Sequence, residues 1–141
     1  MCASKGPKLV VSAKPIVYLV GNPLVPSDTM PLRILPLLQK ELPKIDFQPF
    51  EPTRQDIPHN CDLTFIDTVQ GLKKVCLLHG VDSLLGPSGA YSLHDFDLAG
   101  QLLLLDKFGL LGHVHIIGVP SKGKIEIVGK AVISQMCALH L

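Results

Sequence analysis

The apolar residues of this chain come in short runs, each cut off by a glycine, a proline or an acid, and that punctuation constrains the fold more than any other feature of the sequence. Pro15 to Val20 is rich in β-branched side chains and stops at Gly21-Asn22-Pro23, Leu63 to Ile66 ends at Asp67, and Val114 to Val119 is closed by Pro120. Runs of this kind read as strands with a chain breaker at the carboxyl end. Val114 to Val119, apolar or small except for His115, looks like a strand buried on both faces. Ile45 to Phe50 alternates apolar with polar residues and predicts a second strand, and Lys74 to His79 a further one.

Between the strands the apolar spacing changes to that of a helix. After Ser27-Asp28-Thr29, the residues Leu32, Leu35, Leu38 and Leu42 recur on one face, with Pro31 tolerated in the first turn and Pro43 closing the segment. Pro36 removes a backbone donor from that helix and predicts a kink. Leu98, Leu102 and Leu105 mark a second helix over residues 95–108, introduced by Ser92 and Asp95 at capping-box spacing and ended by Gly109 and Gly112. A third helix is predicted over residues 125–139. The link between the third and fourth strands, containing Gly71, is too short for a parallel return, so an antiparallel hairpin is expected there. Strands alternating with helices predict an α/β fold, a three-layer αβα sandwich around a mixed, mostly parallel sheet of about five strands. With 141 residues the chain is expected to form one domain over residues 15–141, preceded by an N-terminal extension, residues 1–14.

Composition narrows the function classes. Hydrophobic residues make up 47% and charged residues 18%, the balance of a filled globular interior. The 13 basic and 12 acidic residues are scattered, without a Lys or Arg run to follow a phosphate backbone, so nucleic acid is not an expected partner. No apolar run approaches the ~18 residues a membrane crossing needs, and no membrane partner is expected. Residues 1–14 lack an apolar core of signal-peptide length, which points to the cytoplasm and a reducing compartment. Cys2, Cys61, Cys76 and Cys137 form no Cys-x-x-Cys pair and are expected as free thiols.

Ligands in such sheets collect beyond the carboxyl ends of the parallel strands. Three residues stand there: Asp28 after strand one, Asp67 at the end of strand three, and His94 at the opening of the second helix. Two carboxylates and one imidazole make an oxygen and nitrogen set suited to nickel, zinc or iron. Each also has a structural explanation, Asp28 as a helix cap, Asp67 as a turn former and His94 as an ordinary early-helix residue. Asp95 or Asp97 would be placed to orient the imidazole. His113 and His115 flank one strand residue, as metal ligands or as packed histidines. His59 and His79 carry no partner signal, and Ser88, in Gly86-Pro87-Ser88-Gly89, has no base placed to activate it. A His-Glu-x-x-His motif, a nucleophile elbow, a phosphate loop and a dinucleotide fingerprint are all missing from the sequence.

Several of these segments resemble one known family. Val20-Gly21-Asn22-Pro23-Leu24 followed by Ser27-Asp28 resembles the Gly-Asn-x-Leu-x-x-acid-acid motif of the proteases that mature nickel-iron hydrogenases. Phe65-Ile66-Asp67-Thr68-Val69 resembles that family's strand ending in a metal-binding Asp, and Tyr91-Ser92-Leu93-His94-Asp95 resembles its Ser-x-His helix start. Ile116-Ile117-Gly118-Val119-Pro120 resembles its last strand, so that the similarity runs in order from about residue 15 to residue 138. The resemblance implies a phosphorylase/hydrolase-like form of the sandwich and a divergent, archaeal-like branch of these endopeptidases. It implies that Asp28, Asp67 and His94 are both metal ligands and catalytic residues. The substrate it implies is a nickel-iron hydrogenase large-subunit precursor, from which a C-terminal extension is removed after nickel insertion, by a monomeric enzyme. Nickel would then be supplied by the precursor, with no organic cofactor. A non-proteolytic metal-sensing or assembly module on the same fold is the alternative, and an unrelated small α/β hydrolase a third reading. Ser27 replaces an acid common in the family, Pro31 replaces a glycine, and Phe50-Glu51-Pro52-Thr53 stands where the family carries a glycine-rich loop.

Overall fold

The structure, a computed structural model, describes residues 14–52, 54–80 and 96–139. In chain order these form β1 (Ile16–Val20), a 3-10 turn (Pro26–Asp28), α1 (Met30–Glu41), β2 (Asp46–Phe50), β3 (Leu63–Thr68), β4 (Cys76–His79), α2 (Phe96–Lys107), β5 (Val114–Val119) and α3 (Ile125–Ala138). The five strands make one open sheet in the order β2-β1-β3-β5-β4. β2, β1, β3 and β5 run parallel, and β4 is antiparallel to β5 at the edge.

Burial follows position in that order. All six residues of β3, flanked on both sides, are buried. β2 is an edge strand, and there Pro49 can face outward without breaking the interior ladder. Alternation along the strands sends Val17, Leu19, Ile66, Ile117 and Val119 to one face, where they pack with Met30, Ile34 and Leu38 of α1 and Val128, Val132 and Met136 of α3. Tyr18, Val20, Phe65 and Ile116 project from the other face onto Leu98 and Leu102 of α2. Helices therefore cover both faces of a mixed, mostly parallel sheet, the three-layer arrangement expected from the alternation of elements. α1 and α3 approach closely at Gly129, where a Cβ would lie 2.4 Å from Leu37 Cδ2.

Three expectations are corrected. β3 and β4 do not form a hairpin: β5 lies between them, so the short link sets their opposite direction without making them neighbours. The buried stripe of α1 is Met30, Pro31, Ile34 and Leu38, with Leu35 and Leu42 only partly buried, because the helix starts at Met30 and turns Ile34 to the sheet. Cys76 and Cys137 are free thiols, as expected, whereas Cys61 is disulfide-bonded. α1 is assigned as one continuous helix through the exposed Pro36. The second helix begins at Phe96 in the described residues, and its expected Ser92/Asp95 cap and the extension over residues 1–13 lie outside them. No helix among the described residues is long and apolar enough to cross a membrane.

Candidate functional site

The chain's path singles out one place on the sheet. From β1 it passes through α1 to β2 on one side, whereas from β3 it goes on to β4, α2 and β5 on the other. Adjacent parallel strands whose connections leave in opposite directions create a crevice at their carboxyl ends, where α/β sheets bind ligands. Here that crevice lies beyond Val20 of β1 and Asp67 of β3, which are register partners.

Asp28 and Asp67 both belong to this rim. Asp67 is fully buried, and its Oδ1 accepts the Thr68 backbone N–H at 2.8 Å. Leu63 and Phe65 face α2, so alternation places the Asp67 side chain on that face as well. Asp28 is 6% exposed, at the last position of the 3-10 turn between β1 and α1. A carboxylate held out of water at two neighbouring strand ends is costly for folding alone and is a common mark of a working site.

The loop that carries Asp28 is built by Gly21 and Asn22. Asn22 Oδ1 accepts the Leu24 N–H at 2.9 Å, turning the chain at Pro23. The Asn22 N–H donates to the Asp28 carbonyl at 2.9 Å, and the Asp28 N–H to the Val25 carbonyl at 2.8 Å, which closes residues 22–28 on themselves. Gly21 lies so near this closure that a Cβ on it would stand 3.0 Å from the Asp28 carbonyl oxygen. Gly-Asn is therefore a device for folding the loop back so that Asp28 is buried over the strand end.

A second contact ties the two acid-bearing loops together. Gln70 Nε2 donates to the Ser27 carbonyl at 3.0 Å, joining the residue before Asp28 to the turn three residues after Asp67. Gln70 carries no signal in the sequence, because a side chain bonding a carbonyl 43 residues away leaves no local trace. Thr68, next to Asp67, is fully buried, and its Oγ1 has no hydrogen-bond partner among the described residues. On the far side of Asp67, Gly118 of β5 is its register partner, and a Cβ there would meet Val69 Cγ2 at 3.0 Å and Leu72 Cδ1 at 3.1 Å. The absence of that side chain lets the chain after β3 cross the end of the sheet.

α2 runs with its Lys107 end leading into β5, and Gln101 in its middle already donates to the carbonyl of Pro52, just beyond the carboxyl end of β2. Its Phe96 end is thus directed toward the rim that holds the two aspartates. His94, Asp95 and Ser88 lie outside the described residues, and the side chain of Asp97 is likewise not described.

The other candidates sit elsewhere. His113 precedes β5 at the opposite end of the sheet, where its Nδ1 lies 3.2 Å from Asp62 Oδ1 and both side chains are largely exposed. His115 is the register partner of His79 at the start of β5. Among the described residues, no group of three or more His, Cys, Asp or Glu side chains is arranged to hold a metal ion. Of the three predicted ligands, the rim brings the loops of Asp28 and Asp67 together. Two buried carboxylates suit a divalent cation or a proton transfer.

No protein-family model matches this chain, and no curated protein matches it. A solved structure of an uncharacterized protein from Wolinella succinogenes is similar over 90% of this chain and 94% of its own, at 13% identity and a TM-score of 0.45.

Proposed function

We propose that this chain is a metal-dependent endopeptidase of the hydrogenase-maturation type, which removes the C-terminal extension of a nickel-iron hydrogenase large-subunit precursor after nickel has been inserted. One observation carries the reading: two buried carboxylates, Asp28 and Asp67, belong to tied loops at the β1/β3 crevice. The Gly-Asn-Pro-Leu and Phe-Ile-Asp segments that resemble the family are the same segments that build this rim. In the proposal, Asp28 and Asp67 engage the precursor's nickel through their carboxylates, and His94 supplies an imidazole. The nickel is substrate-borne and marks the precursor as ready for cutting. Such an ion polarises the scissile carbonyl or lowers the pKa of a water, toward ~7 in the best zinc cases. The carboxylate less engaged by the ion takes a proton from the attacking water. The enzyme acts in the cytoplasm as a monomer, without an organic cofactor.

The test mixes the purified chain with nickel-loaded and nickel-free precursor and follows the mass of the precursor's C-terminus. Shortening of the loaded form alone, lost in Asp67→Asn with an unchanged circular dichroism spectrum, supports the proposal. An intact precursor in both arms rejects proteolysis.

A further inference from the structure

At the opposite end of the sheet from the acid pair, a cavity of about 510 Å³ opens beside the starts of β1, β2 and β3. Ile16 and Leu63 supply apolar wall, while Tyr18, Asp46, Lys14 and Asp62 bring polar groups to it. Tyr18 is the informative residue. It is only 8% exposed, and its ring packs against Phe50 at 5.2 Å and Phe65 at 5.6 Å between centroids. With the ring packed in that cluster, Tyr18 still lines the cavity, which leaves its hydroxyl as the group it can offer a ligand there.

Asp46 lines the same cavity. In the parallel register Asp46 pairs with Ile16 and Gln48 with Tyr18, which sets all four side chains on one face at the edge of the sheet. Tyr18 and Asp46 line the same cavity, and there burial, and then the Asp46 charge, push the Tyr18 hydroxyl pKa up from 10.0. Asp46 Oδ2 accepts from Gln48 Nε2 at 2.8 Å, leaving its other oxygen for a ligand. A guanidinium would want both oxygens of a carboxylate in its plane, whereas an ammonium head needs one oxygen and spreads its three donors over separate acceptors. Asp62 is turned to His113, and Lys14 bears its own positive charge, so the site has room for one cationic head and disfavours a second.

We propose that this cavity binds a primary alkylammonium group, its stem along Ile16 and Leu63 and its head between the Asp46 carboxylate and the Tyr18 hydroxyl. The site is separate from the acid pair and stands or falls independently of the peptidase reading. A free amine and the lysine side chain of a peptide share this chemistry.

Nuclear magnetic resonance titration of the full chain distinguishes them, with n-butylammonium, Nα-acetyl-lysine amide and neutral 1-butanol as probes. Saturable shifts of the Ile16 and Leu63 methyls and the Tyr18 ring are expected with the ammonium probes, and the tighter of the two identifies the source. Asp46→Asn should weaken binding by about tenfold or more and Tyr18→Phe by about fivefold, from the loss of charge-assisted and neutral hydrogen bonds respectively. Asp67→Asn, at the far rim, should bind as wild type. Equal shifts with 1-butanol, or undiminished binding in both Asp46→Asn and Tyr18→Phe, would overturn the assignment, and the second variant keeps the test decisive if the first fails to fold.

Discussion

Replacing Gly21 by alanine tests how the Asp28 loop is held. The added Cβ would stand 3.0 Å from the Asp28 carbonyl oxygen and 3.4 Å from Leu32 Cγ. Ordinary contacts begin near 3.4 Å, so the carbonyl must retreat by 0.4 Å (3.4 − 3.0) while still accepting the Asn22 N–H, now at 2.9 Å. Leu32 already meets the new atom at an acceptable distance, so the backbone of the loop takes the displacement. Overpacking of this kind costs about 1–3 kcal/mol, partly offset by the ~0.4–1 kcal/mol that alanine gains by restricting the unfolded chain. The net expectation is a loss of about 1–2 kcal/mol, or roughly 3–8 °C in Tm for a chain of this size. The same shift moves the Asp28 carboxylate, and displacements well under 1 Å cost on the order of tenfold in rate when a group must meet reacting atoms. Calorimetry and the precursor-shortening assay on one preparation read both effects. A Gly21→Ala protein with wild-type Tm and wild-type rate would refute the idea that the tight Gly21–Asp28 approach positions the acid.

The remaining predictions separate fold from site. Gly112→Ala should cost more than Gly21→Ala, about 3 kcal/mol or above, because its Cβ would meet the Cys61 carbonyl oxygen at 2.5 Å and carbonyl carbon at 2.7 Å, both backbone. Its effect on rate per folded molecule should be small, which calorimetry and the same shortening assay check together. Tyr18 has a folded pKa raised above 10.0, so its neutral form contributes stability that is complete below pH 10 and is lost as pH rises through the higher folded value. Urea midpoints for wild type and Tyr18→Phe across that alkaline range should show a downward slope in the wild type that the variant lacks.

Much of this architecture can be read from short-range pattern. β5 and the start of α3 fall where the apolar run, Pro120 and the helical spacing put them, because strand and helix periods are local properties. The position of β4 is different in kind. Link length fixes direction, but the insertion of β5 beside β3 is decided by residues some 50 positions later, and no local signal carries it. The rim holding Asp28 and Asp67 is legible because strand ends in a parallel sheet share one edge of the molecule. Gln70 and its bond to Ser27 are not, since they depend on β1 and β3 already lying side by side. Tyr18 reads as filler for a strand. Only the register of β2 brings it to the same face and the same cavity as Asp46.

The most direct test is anomalous diffraction from crystals of the protein soaked with nickel. A peak bridging the Asp28 and Asp67 carboxylates at roughly 2 Å from each, weakened in Asp67→Asn, is the predicted result. Nickel bound only away from both aspartates would contradict the claim that these acids form a cation site.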